Sequence, residues 1–169
     1  INRYGYLKQR IADLVLLNTG KNSFETYSSH GAFDANDPGH GDMGQAFDFN
    51  LDGKVDVLAG SEEEGPWYLY QNTQTYTGHY LLFEIGYSPS SKIDPMSAEI
   101  IVTTESGEKY YQRVGSAGEI FSQSLMNIVH FGLGKTQKIK SVVVTWRNGE
   151  TAEFNNLVVD KKYNTDELL

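Results

Sequence analysis

A nine-residue segment, residues 48–56, constrains this chain more than any other stretch of it. Its first, third, fifth and ninth positions carry oxygen-bearing side chains, and glycine stands at the sixth position. Calcium takes six to eight oxygen ligands, so a short loop with such a side chain at every second residue suits this ion. Glycine allows the backbone to turn sharply where a side chain would clash. The predicted calcium ligands are the side chains of Asp48, Asn50, Asp52 and Asp56 and the backbone carbonyl of Lys54, whose ammonium is expected to point outward.

The residues on either side of this loop indicate strands rather than helices. Apolar and polar residues alternate over residues 45–47 before it and 55–58 after it. An EF-hand loop begins with the same spacing but requires a bidentate glutamate at its twelfth position, where this chain has Ala59. We therefore predict a calcium loop that joins two β-strands. An acidic Asp-Gly turn that needs no metal is the alternative interpretation.

The acidic residues of the chain are concentrated around this loop. Residues 25–64 contain ten of the 22 acidic residues and a single basic residue, Lys54, whereas the remainder of the chain is close to neutral. Such a concentration favours cation binding and argues against a nucleic-acid partner. No stretch has the apolar length of a membrane span. The chain has no cysteine, which excludes disulfides and thiolate metal sites.

Short apolar runs separated by turn-forming residues continue along the whole chain and predict an all-β fold. Two domains are expected, residues 1–79 and residues 80–169. The second contains six or seven short strands and reads as an antiparallel β-sandwich. Two of its turns have clear signatures, Ser106-Gly107 and Asn148-Gly149, and the latter pair is typical of a two-residue hairpin loop.

The first domain carries a family resemblance. Residues 46–58, followed by residues 68–72, resemble an FG-GAP (VCBS-type) repeat, and the likeness extends loosely over residues 11–78. Such repeats form the blades of integrin-like β-propellers and hold calcium in this loop, so the resemblance implies a partial propeller-type blade region. A propeller needs several blades, and this domain offers little more than one. The implied partners are missing N-terminal propeller blades or another protein chain.

The second domain is similar to the ASPIC/UnbV domain, the C-terminal module of cartilage acidic protein-like proteins. The similarity is carried by residues 122–124, 130–134 and 143–149. FG-GAP repeats followed by this domain is the order typical of that family. Two positions depart from its usual pattern: Ser97-Ala98-Glu99 stands where Gly-Ala-Arg is usual, and Trp146-Arg147 stands where Trp-Pro is usual.

No motif in the sequence indicates catalysis. There is no Gly-x-Ser-x-Gly elbow, and the four histidines lack the spacing of a zinc site. His130 is expected to be a structural, hydrogen-bonded histidine. A second oxygen-rich loop lacks the Asp-Gly core, and whether it binds a second ion stays open; its residues are Asp34, Asn36, Asp37 and Asp42. Some aromatic residues are candidates for stacking on sugars, although alternation buries one set; they are Trp67, Tyr68, Tyr70, Tyr110 and Tyr111.

These residues and resemblances together favour a non-catalytic calcium-binding module for extracellular binding or cell adhesion. The expected location is outside the cell, in the periplasm or on the cell surface. A glycan or an extracellular protein is the candidate partner. The alternative is a catalytic or non-catalytic part of a secreted polysaccharide-active enzyme whose catalytic residues lie before residue 1.

Overall fold

The computed structural model describes residues 15–20, 22–31, 43–60, 67–75, 78–115 and 127–169. The regular elements of these residues are β1 (Val15–Gly20), β2 (Ser23–Tyr27), β3 (Met43–Phe47), β4 (Asp56–Gly60), β5 (Tyr68–Tyr70), β6 (His79–Glu84), β7 (Glu99–Thr104), β8 (Lys109–Arg113), β9 (Ile128–Gly134), β10 (Ile139–Thr145), β11 (Thr151–Asn155), β12 (Lys161–Asn164) and α1 (Thr165–Leu168). The predicted all-β fold is confirmed, since in the described residues strands account for every element but one four-residue helix. The apolar runs at residues 12–17 and 120–131 also indicate strands, and their first parts, residues 12–14 and 120–126, lie outside the described residues.

The described residues fall into two compact units. One comprises those up to Phe47 and from Asp56 to Asn72. The other, called the C-terminal unit below, comprises Asp48–Val55 and Thr73–Leu169. The loop between β3 and β4 therefore belongs to the C-terminal unit, although its flanking strands do not. The expected domain division at residues 79 and 80 stays a prediction.

The N-terminal unit contains two small antiparallel sheets. Strands β1 and β2 form a hairpin, and β3, β4 and β5 form a three-stranded sheet in that order. The pairing of β3 with β4 ends at Phe47 and Asp56, so the predicted calcium loop does join two strands, as expected from the alternating flanks. That this sheet is an FG-GAP repeat remains a prediction.

The C-terminal unit contains two sheets that share one apolar core. The first has the strand order β11-β10-β7-β8 and is antiparallel throughout. The second has the order β12-β6-β9, in which β6 pairs antiparallel with β9 and parallel with β12. The expectation of a purely antiparallel sandwich misses this last pair. Asp160, at φ +59°, exchanges hydrogen bonds with the backbone of Tyr80 and brings β12 alongside β6 in the same direction.

Both sheets turn every second side chain into the core. Along β10, Val142 and Val144 are fully buried while Val143 between them is half-buried, and Trp146 beyond the strand end is buried as well, which agrees with the alternation of residues 138–146 in the sequence. The two sheets thus pack face to face as a β-sandwich. The core residues are Leu81, Phe83, Ile85, Ala98, Ile100, Val102, Val114, Val129, Phe131, Leu133, Ile139, Val142, Val144, Trp146 and Phe154.

The two hairpin turns have three-residue loops, which corrects the two-residue loop predicted at Asn148-Gly149. In the β10–β11 turn, Gly149 N–H donates to Trp146 O at 2.8 Å and Trp146 N–H donates to Glu150 O at 2.9 Å. A two-residue type I′ turn would need positive φ at both central residues. Here only Gly149 has it, at +84°, which is the pattern of a type I turn followed by a glycine bulge.

The β10–β11 turn is fastened to the loop that precedes β7. The indole N–H of Trp146 donates to Gly86 O at 3.1 Å, and Arg147 Nη1 lies 2.6 Å from Asp94 Oδ1. The Arg147 guanidinium, by donating this bond, holds the pKa of the Asp94 carboxyl below its usual value. These contacts tie two loops at one end of the sandwich.

Glu150 adds a third fastening at the same end. Its carboxylate accepts the backbone N–H groups of Ser90 at 2.6 Å and Ser91 at 3.1 Å. The hydrogen bond from Ser90, with further bonds from Ser88 and Ser91, outweighs the effect of burial and lowers the pKa of Glu150 to about 2.

This lowered pKa predicts a specific pH dependence. Because the folded-state pKa of Glu150 lies below its ordinary value of 4.5, its contribution to stability is complete above pH 4.5 and is lost as the pH falls toward 2. Glu150→Gln should therefore reduce the rise of unfolding free energy with pH across this window. Urea unfolding at several pH values measures the slope. Glu153→Gln, on the exposed side of β11, is the control, and an unchanged slope in Glu150→Gln would contradict the assignment.

The shared core predicts a large effect of truncating Phe83. This side chain is fully buried and packs its ring against Phe154 and Tyr163, with centroids 5.7 and 5.8 Å away. Phe83→Ala should lower the free energy of unfolding by about 3–5 kcal/mol through lost burial and the cavity left behind. Tyr111→Ala, at a side chain that is 64% exposed, should change it by less than about 0.5 kcal/mol. Denaturant unfolding monitored by circular dichroism provides the comparison.

Candidate metal centre

The predicted calcium loop is folded over the carboxylate of its first residue. Asp48 is 7% exposed, and its two oxygens accept the backbone N–H groups of Asp52 at 3.1 Å and Gly53 at 2.7 Å. This fold requires positive φ at Leu51, +60°, and at Gly53, +87°. The sharp turn that the sequence predicts at the sixth position is therefore present.

The next two predicted ligands are held in the same manner. Asn50 Oδ1 accepts Asp52 N–H at 3.3 Å, and Asp52 Oδ1 accepts Lys54 N–H at 3.0 Å. The Asn50 amide also donates to Asp52 Oδ2 at 3.1 Å. The side chains at the first, third and fifth positions thus each bond an oxygen to an N–H group of the loop, with Asp48 buried and Asn50 and Asp52 exposed.

Lys54 departs from its predicted orientation. Its ammonium lies 3.2 Å from Asp52 Oδ2, so the expectation that it points away from the ligands is wrong. The two residues stand two positions apart on a tight loop, which brings opposite charges together. Burial alone would raise the pKa of the Asp52 carboxyl, but the hydrogen bonds from Lys54 N–H, the Asn50 amide and the Lys54 ammonium outweigh it and lower that pKa.

The oxygen atoms of Asp48 and Asp52 are chemically suited to bind a hard cation. A carboxylate has about four lone-pair positions, so Asp48 and Asp52 retain acceptor capacity beyond the N–H groups they bind. Both are ionisable oxygen donors of the kind that calcium prefers. Within the described part of the chain, no three His, Cys, Asp or Glu side chains are grouped closely enough to hold a metal ion. A cation held at this loop would therefore depend on the Asn50 amide and the Lys54 carbonyl as well as on carboxylates.

The fifth predicted ligand, Asp56, lies in β4 of the N-terminal unit. Its side chain is 1% exposed, and its Oδ1 accepts the N–H of Asn72 at 2.7 Å. This bond ties the start of β4 to the residues after β5. The second acidic loop, with Asp34, lies outside the described residues.

Two residues that sequence reasoning did not connect with the loop contact its glycine. The His130 Nε2 atom lies 2.8 Å from Gly53 O, which confirms His130 as a hydrogen-bonded structural histidine. The ring of Tyr80 occupies the space where a Cβ on Gly53 would stand, with ring atoms 2.2–2.8 Å from that position. Burial, followed by the negative charges of Asp160, Asp48 and Asp52, raises the pKa of Tyr80. The carboxylates of the loop are therefore close enough to act on this phenol.

A histidine–aspartate pair lies beside Tyr80. His79 Nδ1 is 2.8 Å from Asp160 Oδ2, and Asp160 Oδ1 accepts Tyr80 N–H at 3.1 Å. Asp160 therefore joins the start of β12 to the start of β6, and its carboxylate is occupied by these contacts.

Comparison with known proteins shows a family similarity in the C-terminal part of the chain. No curated protein matches the chain. Residues 89–168 match the family model of ASPIC and UnbV. The match includes strands β7 to β12, whereas β6, which contributes to the same core, precedes it. The resemblance of the second domain is thus confirmed; the FG-GAP resemblance of the first stays a prediction.

Two of the three motifs that carry the ASPIC/UnbV similarity lie in β9 and β10. The 130–134 motif is most of β9, and the 143–149 motif is the end of β10 with its turn. The 122–124 motif lies outside the described residues. At the position where proline is usual, Arg147 pairs with Asp94. The structure contains no helix, in the residues it describes, that is long and apolar enough to cross a membrane.

Substitution of Gly53 tests the packing of the loop. Gly53→Ala should destabilise the chain through the strain of positive φ and through collision with the Tyr80 ring, by about 1–3 kcal/mol. Gly107→Ala is the matched control, because Gly107 has φ +88° but no atom within 4 Å of the added methyl group. Urea unfolding of both variants should show the larger loss in Gly53→Ala. Equal losses would mean that Tyr80 does not contribute.

Proposed function

We propose that this chain is a non-catalytic, calcium-binding module of the extracellular type that carries an ASPIC/UnbV domain and serves in binding or adhesion. The match of residues 89–168 supports the extracellular type. The observation that carries the calcium proposal is the folded 48–55 loop, in which Asp48, Asn50 and Asp52 each turn oxygens toward the interior of the turn.

The proposed ligands are those that the sequence spacing predicts. They are the side chains of Asp48, Asn50, Asp52 and Asp56 and the carbonyl of Lys54. Calcium would supply positive charge to a loop whose own carboxylates repel each other, and water would complete its six to eight ligands. Such an ion has a structural role, because it binds the folded loop and not the unfolded chain.

A binding role agrees with the charges and the surface of the described residues. The carboxyls with a resolved pKa shift, Asp52, Asp94 and Glu150, are all lowered and stay ionised at neutral pH. A general acid requires the opposite shift. Large aromatic side chains are exposed at Trp67 and Tyr111, to 48% and 64%. We propose an extracellular protein or a glycan as the partner, since exposed aromatic rings suit contact with either.

The calcium proposal is tested by thermal melting of the chain with calcium and with chelator. Calcium at a hundredfold excess over its dissociation constant should stabilise the wild type by about 2.7 kcal/mol. Asp52→Ala should lose most of this difference, because it removes a charged ligand. Lys54→Met keeps the backbone carbonyl and removes the ammonium beside Asp52, so it should bind calcium more tightly.

Glu153→Ala is the control for surface charge, because Glu153 is exposed on β11 and lies outside the loop. Its calcium-induced shift should equal that of the wild type. Isothermal titration of metal-free protein measures the affinities directly. A wild type that melts at one temperature in calcium and in chelator, and that shows no binding heat, would refute the calcium site and leave the acidic-turn interpretation.

A further inference from the structure

The loop that carries the proposed ligands is supported by strands far away in sequence. Residues 48–55 belong to the C-terminal unit, where the contacts of Gly53 are with Tyr80 of β6 and His130 of β9. Gly53 stands between Asp52 and Lys54, two of the proposed ligands, so any movement of its peptide moves both.

The hydrogen bond from His130 has a defined direction. A carbonyl oxygen only accepts, so His130 Nε2 carries the proton that binds Gly53 O. The Tyr80 and His130 rings are parallel within 3°, with centroids 6.2 Å apart, and both contact the glycine. A residue with a side chain at position 53 would collide with the Tyr80 ring.

The face of the β12-β6-β9 sheet that carries Tyr80 and His130 is covered rather than open. Register pairs Leu82 with His130 and Tyr80 with Gly132, so these four residues share the side of the sheet opposite the core. Leu82 is only 1% exposed although it is not part of the core cluster. Gly132, which has no side chain, leaves room beside the Tyr80 ring. This face is therefore shaped to receive a segment of chain.

We propose that His130 and Tyr80 are positioning residues that hold the 48–55 loop on strands β6 and β9, so that ion binding at the loop stabilises the whole C-terminal unit. The positioning half of this statement needs no metal. The stabilising half rests on the proposed calcium function. Its physical basis is linkage: an ion that binds the docked loop adds its binding free energy to every interaction that keeps the loop docked.

Proteolysis at Lys54 measures the positioning directly. A lysine-specific protease, applied to the full chain in chelator, cuts after Lys54 only when the loop opens, and mass spectrometry identifies that cut. His130→Phe keeps an aromatic ring beside Tyr80 but loses the donor to Gly53. Loss of one net hydrogen bond should raise the open population, and with it the cleavage rate, about fivefold.

Two variants separate positioning from a general effect on the fold. His130→Gln places an amide N–H close to the position of Nε2 and should restore near wild-type protection. His79→Phe alters the other histidine of β6 and β9, which pairs with Asp160 and not with the loop, and should also cleave at the wild-type rate. If His130→Phe does not fold, Tyr80→Leu serves in its place with the same expected direction.

The proposed stabilisation by calcium is tested by the thermal melting of the C-terminal unit. In a Trp67→Phe background, Trp146 is the remaining tryptophan of the two in the chain, and it is buried in the core. Its fluorescence reports the melting of the C-terminal unit. Calcium should raise that melting temperature, and the rise should be smaller with His130→Phe.

The cleavage rates and the calcium measurements decide the two halves of the proposal separately. Cleavage of both His130→Phe and Tyr80→Leu at the wild-type rate overturns the positioning role, whatever calcium does. Calcium binding by titration without a shift of the Trp146 melt overturns the stabilising half. Absence of calcium binding refutes the proposed function and the stabilising half together, while the cleavage rates in chelator still decide the positioning role.

Discussion

One layer of apolar side chains, shared by two sheets, holds the C-terminal unit together. Strands β6, β7, β9 and β10 each place alternate residues in it, and neither sheet buries its face without the other. This alternation also fixes what lies outside the layer. His130 stands between Val129 and Phe131, which are both buried in the core, so its ring is directed to the opposite face. The position of the proposed metal loop is thereby determined by core packing.

The electrostatics of the loop are set by the hydrogen-bond donors around its carboxylates. Asp48 is nearly buried, and its two oxygens accept hydrogen bonds from N–H groups of its own loop. Asp52 is more exposed and gathers N–H, amide and ammonium donors, which lower its pKa. The N–H donors hold these carboxylates in one orientation, so few groups would need to turn on binding of the proposed cation. Lys54 is the exception, since its ammonium occupies one of the Asp52 oxygens.

Periodicity in the sequence was sufficient for the strands, the sandwich and the core side of β10. It also placed a sharp turn at Gly53 correctly, since the glycine requirement is local. Contacts between residues far apart in the sequence could not be predicted from periodicity. Nothing near Tyr80 or His130 in sequence indicates contact with Gly53, 27 and 77 residues away. The parallel pairing of β12 with β6 depends on Asp160, and the turn at Asn148-Gly149 has a third residue between Trp146 and Glu150, which are both bonded to the loop that precedes β7.

The proposed ligands and the groups that position them come from different halves of the sequence, so a fragment of either half contains only one of the two. The proposed ligands come from residues 48–56, but the groups that position their loop come from β6 and β9. A fragment of residues 80–169 keeps the whole apolar core yet leaves the His130 donor and the flat side of Tyr80 without the loop. A fragment of residues 1–79 keeps the ligands and loses their support. Separate fragments therefore test folding, whereas the proposed ion binding has to be measured on the chain that contains both.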